Sequence, residues 1–192
     1  MTVLGLPDVR SALAGRKPRE LEYPKSAAVA MLLRDTSLGP EVLFIRRAES
    51  SRDPWSGHMA FPGGRQSEDD PTLFHTAIRE TQEEIGLDLS LEADHIGQLD
   101  DLQAIARGKP QETVIRPFVF EVQRDAPLRV DEREVAEALW APLLPLYRGE
   151  VDTVRPYQWH GTQIDFPAYD VSGRVVWGLT YQMLRSFFRI LG

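Results

Sequence analysis

The sequence predicts a single α/β domain with helices packed on a mixed sheet. Three observations carry that reading: apolar, partly β-branched runs that read as strands, a 3.6-residue apolar stripe between residues 70 and 86, and a second amphipathic stripe at the C-terminus. The order is strands, helix, strands, helix.

Residues 7–15 read as a short helix ending at Gly15, and Arg16–Pro24 as a basic, proline-punctuated connector. Residues 1–25 are thus expected to form an N-terminal helix and connector, and residues 26–192 one domain. Ser26–Leu33 and Glu41–Arg46 flank the turn-rich stretch Asp35–Pro40, which predicts a hairpin. Arg47–Ser56 is a polar loop, and Gly57–Phe61 a short strand entering the glycine turn Gly63-Gly64. Asp70 is a suitable N-cap, Pro71 suits the first helical position, and Gly86 is a natural stop. Between them run Leu73, Phe74, Ala77, Ile78, Thr81 and Ile85, a helix over about 71–85. Strands are expected at 94–99 and 113–122. Asp131–Ala138 reads as a charged helix or turn, and Leu139–Leu143 as a short strand. Residues 151–177 alternate well enough for two or three strands, with Ser172-Gly173 as a turn. Leu179–Leu191 reads as an amphipathic C-terminal helix.

Composition narrows the function. With 192 residues, 42% hydrophobic and 27% charged, the chain can bury a substantial core. No apolar run is long enough to span a bilayer, and Met1–Gly5 lacks a basic region, so neither a membrane span nor a secretory signal is expected. The chain has no cysteine, which excludes disulfides, zinc-thiolate sites and thiol catalysis, and fits the cytoplasm. A formal net charge of −7 argues against a nucleic-acid surface, but not against a small phosphorylated substrate held through a metal.

The helix from 70 to 86 carries Arg79-Glu80-Thr81-Gln82-Glu83-Glu84. With Leu73 at zero, the apolar arc runs to about 140°, Glu84 falls near 20°, Glu80 near 340°, Glu83 near 280°, Arg79 near 240° and His75 near 200°. Glu84 therefore lies within the margin of the buried face, with Glu80 beside it. Like charges at three and four residues' spacing destabilise a helix by roughly 0.2–0.5 kcal/mol per pair. Anions in the last turn also oppose the macrodipole, at roughly 0.3–1 kcal/mol each when exposed. A hard divalent cation with oxygen ligands removes both conflicts. A solvated acidic face neutralised by Arg79 and other basic groups is the bland alternative. The glycine turn and the Asp-Pro cap favour the metal, because a glycine turn feeding a capped helix offers backbone groups to a phosphate or a metal.

Taken together, Gly64–Leu87 resembles the Nudix box, G-x5-E-x7-R-E-U-x-E-E-x-G-U, where U is a bulky aliphatic residue. Arg79, Glu80, Glu83, Glu84, Gly86 and Leu87 match in register. Thr81 replaces the aliphatic residue, and the Gly64–Arg79 interval is one residue longer than the general pattern, so Glu68 or Asp70 stands near the usual glutamate position. That extra residue resembles the coenzyme A diphosphatase branch, in which Asp70 and Thr72 match in kind and Ser67 does not. The branch's upstream motif is L-L-T-x-R-S followed by R-x3-G-x3-F-P-G-G. Leu43–Ala48, Arg52 and Gly57–Gly64 match it in part: the Thr and Ser are absent and the Arg52–Gly57 spacing is one residue long. Leu99-Asp100-Asp101 and Trp177-Gly178-Leu179-Thr180 are similar to that branch too.

The resemblance implies an α/β/α sandwich with a mixed sheet, and hydrolysis of a nucleoside diphosphate linked to another moiety. It implies Mg²⁺ or Mn²⁺ on Glu80, Glu83, Glu84 and the Gly64 carbonyl. Arg79 would hold the helix to the glycine loop through Glu68 or Asp70. Arg46, Arg47, Arg52, Gly63 and Gly64 would contact the substrate, and Asp100, Asp101 or Glu112 would supply a base or an extra ligand. The expected substrate is coenzyme A or an acyl-CoA. The alternatives are ADP-ribose, a nucleotide sugar, a dinucleoside polyphosphate, a nucleoside triphosphate, or a non-catalytic sensing module. The proline and tyrosine that mark the ADP-ribose and dinucleoside enzymes are absent from Asp101–Ile105. The expected state is monomer or homodimer. Trp55 could stack on adenine but is expected to pack, and His58 to sit satisfied in a strand. Trp159, Trp177, Phe187 and Phe188 are expected to be core or helix-packing residues.

Overall fold

The computed structural model describes residues 5–51, 55–106, 109–123, 127–159 and 162–192. In chain order the elements are α1 (Leu6–Leu13), β1 (Lys25–Arg34), β2 (Glu41–Arg47), β3 (Met59–Ala60), β4 (Gly63–Arg65), α2 (Leu73–Ile85) and α3 (Leu89–Glu92). There follow β5 (Ala93–Gln98), β6 (Leu102–Ala106), β7 (Lys109–Val122), β8 (Val135–Pro142) and α4 (Leu143–Arg148). The chain ends with β9 (Asp152–Trp159), β10 (Thr162–Val171), β11 (Arg174–Trp177) and α5 (Gly178–Leu191).

The main sheet is mixed. Its path is β3-β2-β1-β7-β5, with β4 also on β1, β6 on β7 and β8 on β2. β1 and β7 pair in parallel from Lys25↔Thr113 to Leu33↔Glu121, while the other pairs are antiparallel. A central strand must be apolar on both sides, which is why β1 reads as a nearly continuous apolar run. Ala28, Ala30 and Leu32 bury in a core shared with Ala77 and Ile85 of α2. Met31 and Leu33 bury in a second core shared with α1 and α5, through Leu6, Val9, Leu184 and Phe187. Helices thus cover both faces of the sheet. A separate antiparallel sheet runs β11-β10-β9, with Ser172 (φ 52°) and Gly173 (φ 80°) making the left-handed turn between β10 and β11. Among the described residues, no helix is long and apolar enough to cross a membrane.

Several boundaries differ from the sequence expectation. α2 starts at Leu73 with Thr72 as its N-cap, not at Asp70 and Pro71, because the Asp70 carboxylate is committed to other donors. Gly86 ends the helix as expected, at φ 70° with its N–H on the Gln82 carbonyl. Asp131–Ala138 is not helical: residues 132–134 form a turn and Val135 already pairs with Arg47 in β8. Strand pairing here overrides the helix propensity of an acidic, alanine-containing run.

Candidate active site

Gly63 and Gly64, expected as a turn, lie in β4 paired with β1, and this glycine segment meets α2 through α2's last turn. The Gly63 N–H donates to Glu84 Oε2 at 2.8 Å, a buried bond that fixes the carboxylate beneath the turn. Gly63 has φ 150°, and a Cβ there would lie 2.2 Å from the Ala28 carbonyl oxygen, so only glycine lets β4 lie this close to β1. A Cβ on Gly64 would lie 2.4 Å from the Glu80 carboxylate; its absence leaves Glu80 room against the turn.

The exposure of the three glutamates follows the helical angles. Glu84 is 2% exposed, the Glu80 side chain 14% and the Glu83 side chain 53%. Burial raises the Glu84 carboxyl to about 8, with Glu80 and Glu134 adding repulsion against the opposing effects of the Gly63 N–H and Arg47. Burial likewise raises Glu80, countered chiefly by Arg79.

A third acidic group joins Glu80 and Glu84. Carboxylate oxygens of Glu80, Glu84 and Glu134 all lie within 4.8 Å of one another. Glu134 arrives because the segment around residues 129–134 caps α2. The Arg129 N–H donates to the Ile85 carbonyl at 2.8 Å and the Asp131 N–H to the Glu84 carbonyl at 3.0 Å. These are carbonyls a helix end otherwise leaves unpaired. No periodicity or local motif marks Glu134 in the sequence.

This donor set fits a divalent metal. It is all oxygen, crowded, and partly buried at a position where an uncompensated carboxylate is expensive. Glu80, Glu84 and Glu134 would hold the ion beside Gly64. Glu83 stands apart from this trio in the present side-chain arrangement: its Oε2 accepts from Arg79 Nη1 at 2.9 Å.

Arg79 organises the base of the site. Its Nε and Nη2 donate to Asp70 Oδ1 and Oδ2 at 2.9 and 2.8 Å, and Nη2 also reaches the Arg65 carbonyl at 3.1 Å and Glu80 Oε1 at 2.9 Å. Asp70 additionally accepts from the Ser67 N–H and the Thr76 hydroxyl. The Arg79 fork holds the Asp70 carboxyl far below the usual range. Of the two acids near the longer Gly64–Arg79 interval, Asp70 therefore binds the arginine.

The other expected site residues separate. Arg47 lines the cavity next to the carboxylates and lowers the Glu84 pKa. Arg46 does not line it; its guanidinium lies 3.7 Å from Glu137. Adjacent strand residues point to opposite faces, so Arg47 shares the α2 side of the sheet with Leu43 and Ile45, while Arg46 points to the other side. Arg52 lies outside the described residues. Asp100 and Asp101, expected as a base or an extra ligand, are paired with arginines and backbone N–H groups and are not part of the carboxylate cluster. Asp100 accepts from Arg16 and the Arg19 N–H. Asp101, 1% exposed, takes both arms of Arg116 at 2.9 and 2.8 Å and the Leu21 N–H. Glu112 is exposed on β7 and alternates with Thr113 and Ile115, which line the cavity, so it points to the other side.

The cavity measures about 930 Å³ and takes in Arg47, the glycine turn and the three carboxylates. Its remaining wall is largely apolar and includes Trp55, whose Nε1 donates to the Ile105 carbonyl at 3.1 Å. His58 lines it too, with its ring 5.0 Å from that of Trp177. Phe187 and Phe188 are buried as expected, whereas Trp177 belongs to the cavity wall. The Trp159 side chain lies outside the described part.

Comparison with known proteins agrees with this geometry. The NUDIX domain profile matches residues 24–160. An uncharacterised protein of Schizosaccharomyces pombe is 41% identical over 116 residues, covering 59% of this chain and 35% of its own length, so this chain spans about a third of that relative. The mitochondrial coenzyme A diphosphatase NUDT8 of Homo sapiens is 30% identical over 174 residues, covering 89% of this chain and 71% of its own. Among solved structures, a MutT/nudix family protein from Enterococcus faecalis superposes with a TM-score of 0.54 over 97% of this chain and 68% of that one. At 16% identity this last likeness concerns the fold alone. The profile match over most of the chain, joined to the glycine turn and the carboxylate-bearing helix, establishes that the chain belongs to the Nudix hydrolase family.

Proposed function

We propose that this Nudix hydrolase is a divalent-metal-dependent diphosphatase acting on coenzyme A or its acyl thioesters, releasing 3′,5′-ADP and phosphopantetheine or its acyl derivative. The observation that carries the hydrolytic reading is the convergence of Glu80, Glu84 and Glu134 beside the glycine turn in one cavity. The choice of coenzyme A is supported by the longer Gly64–Arg79 interval, by the partial upstream motif, and by the printed name of the human relative.

Mg²⁺ or Mn²⁺ bound there would neutralise diphosphate oxygens and supply an activated water. The chain's own groups set the stage for it. Gly63 N–H holds Glu84 in place, and Arg79 fixes Glu80 and, through Asp70 and the Arg65 carbonyl, the turn itself. Glu83, which the box pattern also gives as a metal ligand, would have to exchange its bond to Arg79 to join the ion. Arg47 places a guanidinium in the cavity, suited to a phosphate oxygen pair. A carboxylate of the cluster accepts the water's proton as the oxygen bonds to phosphorus and the anhydride bond breaks.

The test is incubation with coenzyme A and Mg²⁺, with product analysis by mass. Release of 3′,5′-ADP and phosphopantetheine, abolished by EDTA and by Glu84→Gln, supports the reading. An intact, metal-binding protein that turns over ADP-ribose or a nucleotide sugar but not coenzyme A would overturn the substrate assignment.

A further inference from the structure

We infer that one face of the three-stranded sheet is the specificity wall of the cavity, and that Phe166, Ile164, Tyr157 and Trp177 receive an apolar chain attached to the diphosphate substrate. This rests on the diphosphatase reading above and adds residues outside the catalytic helix.

The face follows from strand register. Tyr157 pairs with Ile164, Arg155 with Phe166, and Trp177 with Ala168. Cross-strand partners share a face and residues two apart along a strand stay on it. Tyr157, Ile164, Phe166 and Trp177 therefore stand together, and all four line the same cavity as the carboxylates. Phe166 is 38% exposed and Ile164 39%, so both present apolar surface to the open cavity.

The geometry of the rings rules out a two-sided clamp for a base. Tyr157, Phe166 and Trp177 form a mutual cluster with centroids 5.8 to 5.9 Å apart. Their planes are tilted by 76° for Tyr157 and Phe166, 38° for Tyr157 and Trp177, and 50° for Phe166 and Trp177. A base held between two rings needs parallel planes about 7 Å apart, twice the contact distance. No pair in this cluster provides that. Arg155 also holds its guanidinium over the Trp177 ring at 5.9 Å, taking one of its faces. What remains is a concave, non-planar apolar surface, with Ile164 beside the rings and Leu179 and Met183 of α5 on the same cavity. That surface suits a flexible alkyl chain better than a flat heterocycle.

The test compares kcat/KM for coenzyme A and for decanoyl-CoA in the wild-type enzyme, Phe166→Ala and Phe166→Leu. Phe166 is exposed enough that neither substitution leaves a closed core cavity. The decanoyl-to-free ratio is expected to favour the thioester in the wild type and to fall about tenfold in Phe166→Ala, the scale of one lost apolar contact in a specificity pocket. Phe166→Leu should restore most of it, because an alkyl chain needs apolar volume rather than a π face. An unchanged ratio in Phe166→Ala overturns the inference. So does a Phe166→Leu variant as impaired as Phe166→Ala on both substrates, which would mark the ring as a stacking platform for the base. A second arm uses decanoyl-pantetheine, which has no diphosphate, in calorimetric titration of the metal-free protein. Binding that Phe166→Ala weakens supports the wall even if coenzyme A is not hydrolysed, whereas unaffected binding removes it. Lack of turnover with binding intact would instead remove the diphosphatase assignment.

Discussion

Replacing Glu84 with glutamine isolates the cost of burying the central carboxylate. The folded carboxyl holds its proton up to about 8, against an ordinary value of 4.5. Its contribution to the stability of the metal-free fold is therefore complete below the unfolded value and is lost as pH rises through the interval to about 8. One proton changes the unfolding free energy by about 1.4 kcal/mol per pH unit over that interval. At pH 7 the accumulated loss is on the order of 3 kcal/mol, as an upper limit. Glutamine keeps an oxygen for the Gly63 N–H and carries no charge, so Glu84→Gln escapes this loss. Urea unfolding in EDTA at pH 5.5, 6.5 and 7.5 should show the variant gaining on the wild type by about 1.4 kcal/mol at each step. Added Mg²⁺ should reverse the order, since a ligand that binds only the folded state stabilises it by mass action. Stability curves that run parallel across pH would refute the claim that Glu84 is buried and uncompensated without its metal.

Other outcomes follow from the same contacts. Arg79→Ala should cost about 2–3 kcal/mol, because it leaves the Asp70 carboxylate without its charged partner, and Arg79→Lys should not restore it, lacking the two-armed fork; chemical denaturation of the three proteins decides this. Asp70 is held well below the usual carboxyl range, so its contribution is present above about pH 4 and is lost as the pH falls further. The destabilisation by Asp70→Asn should accordingly be full at pH 7 and shrink below about pH 4, as read from urea midpoints. Gly64→Ala should fold but bind Mn²⁺ weakly, because its Cβ would press on the Glu80 carboxylate at 2.4 Å; wild-type affinity would contradict the cradle assigned to Gly64.

α2 is legible in the sequence because its signals are local. Gly86 stops it, and the order Glu84, Glu80, Glu83 on a helical wheel is the order of their burial. The hairpin of β1 and β2 and the turn at Ser172-Gly173 are likewise written in alternation and turn residues. Glu134 was not legible. It joins the cluster through backbone hydrogen bonds from a distant loop to the end of α2, and those bonds involve no particular side chain. The partners of Asp100 and Asp101 are not legible either, because Arg16 and Arg116 are remote in sequence or on another strand. Arg46 and Arg47 are equivalent as residue types, and only the face that β2 turns toward α2 separates them: Arg47 shares it with Leu43 and Ile45 and lines the cavity. Trp177 reads as a packing residue in the sequence, and only the cross-strand register places it beside Tyr157 and Phe166 on the cavity wall.

The central claim is that carboxylates from α2 and from the loop before β8 form one metal site at the glycine turn. Anomalous diffraction from a crystal soaked in Mn²⁺ tests it directly. The expected result is a peak within about 2.5 Å of carboxylate oxygens of Glu80, Glu84 and Glu134, lost in Glu84→Gln. A peak bound elsewhere, or one that excludes Glu80 and Glu84, would contradict it.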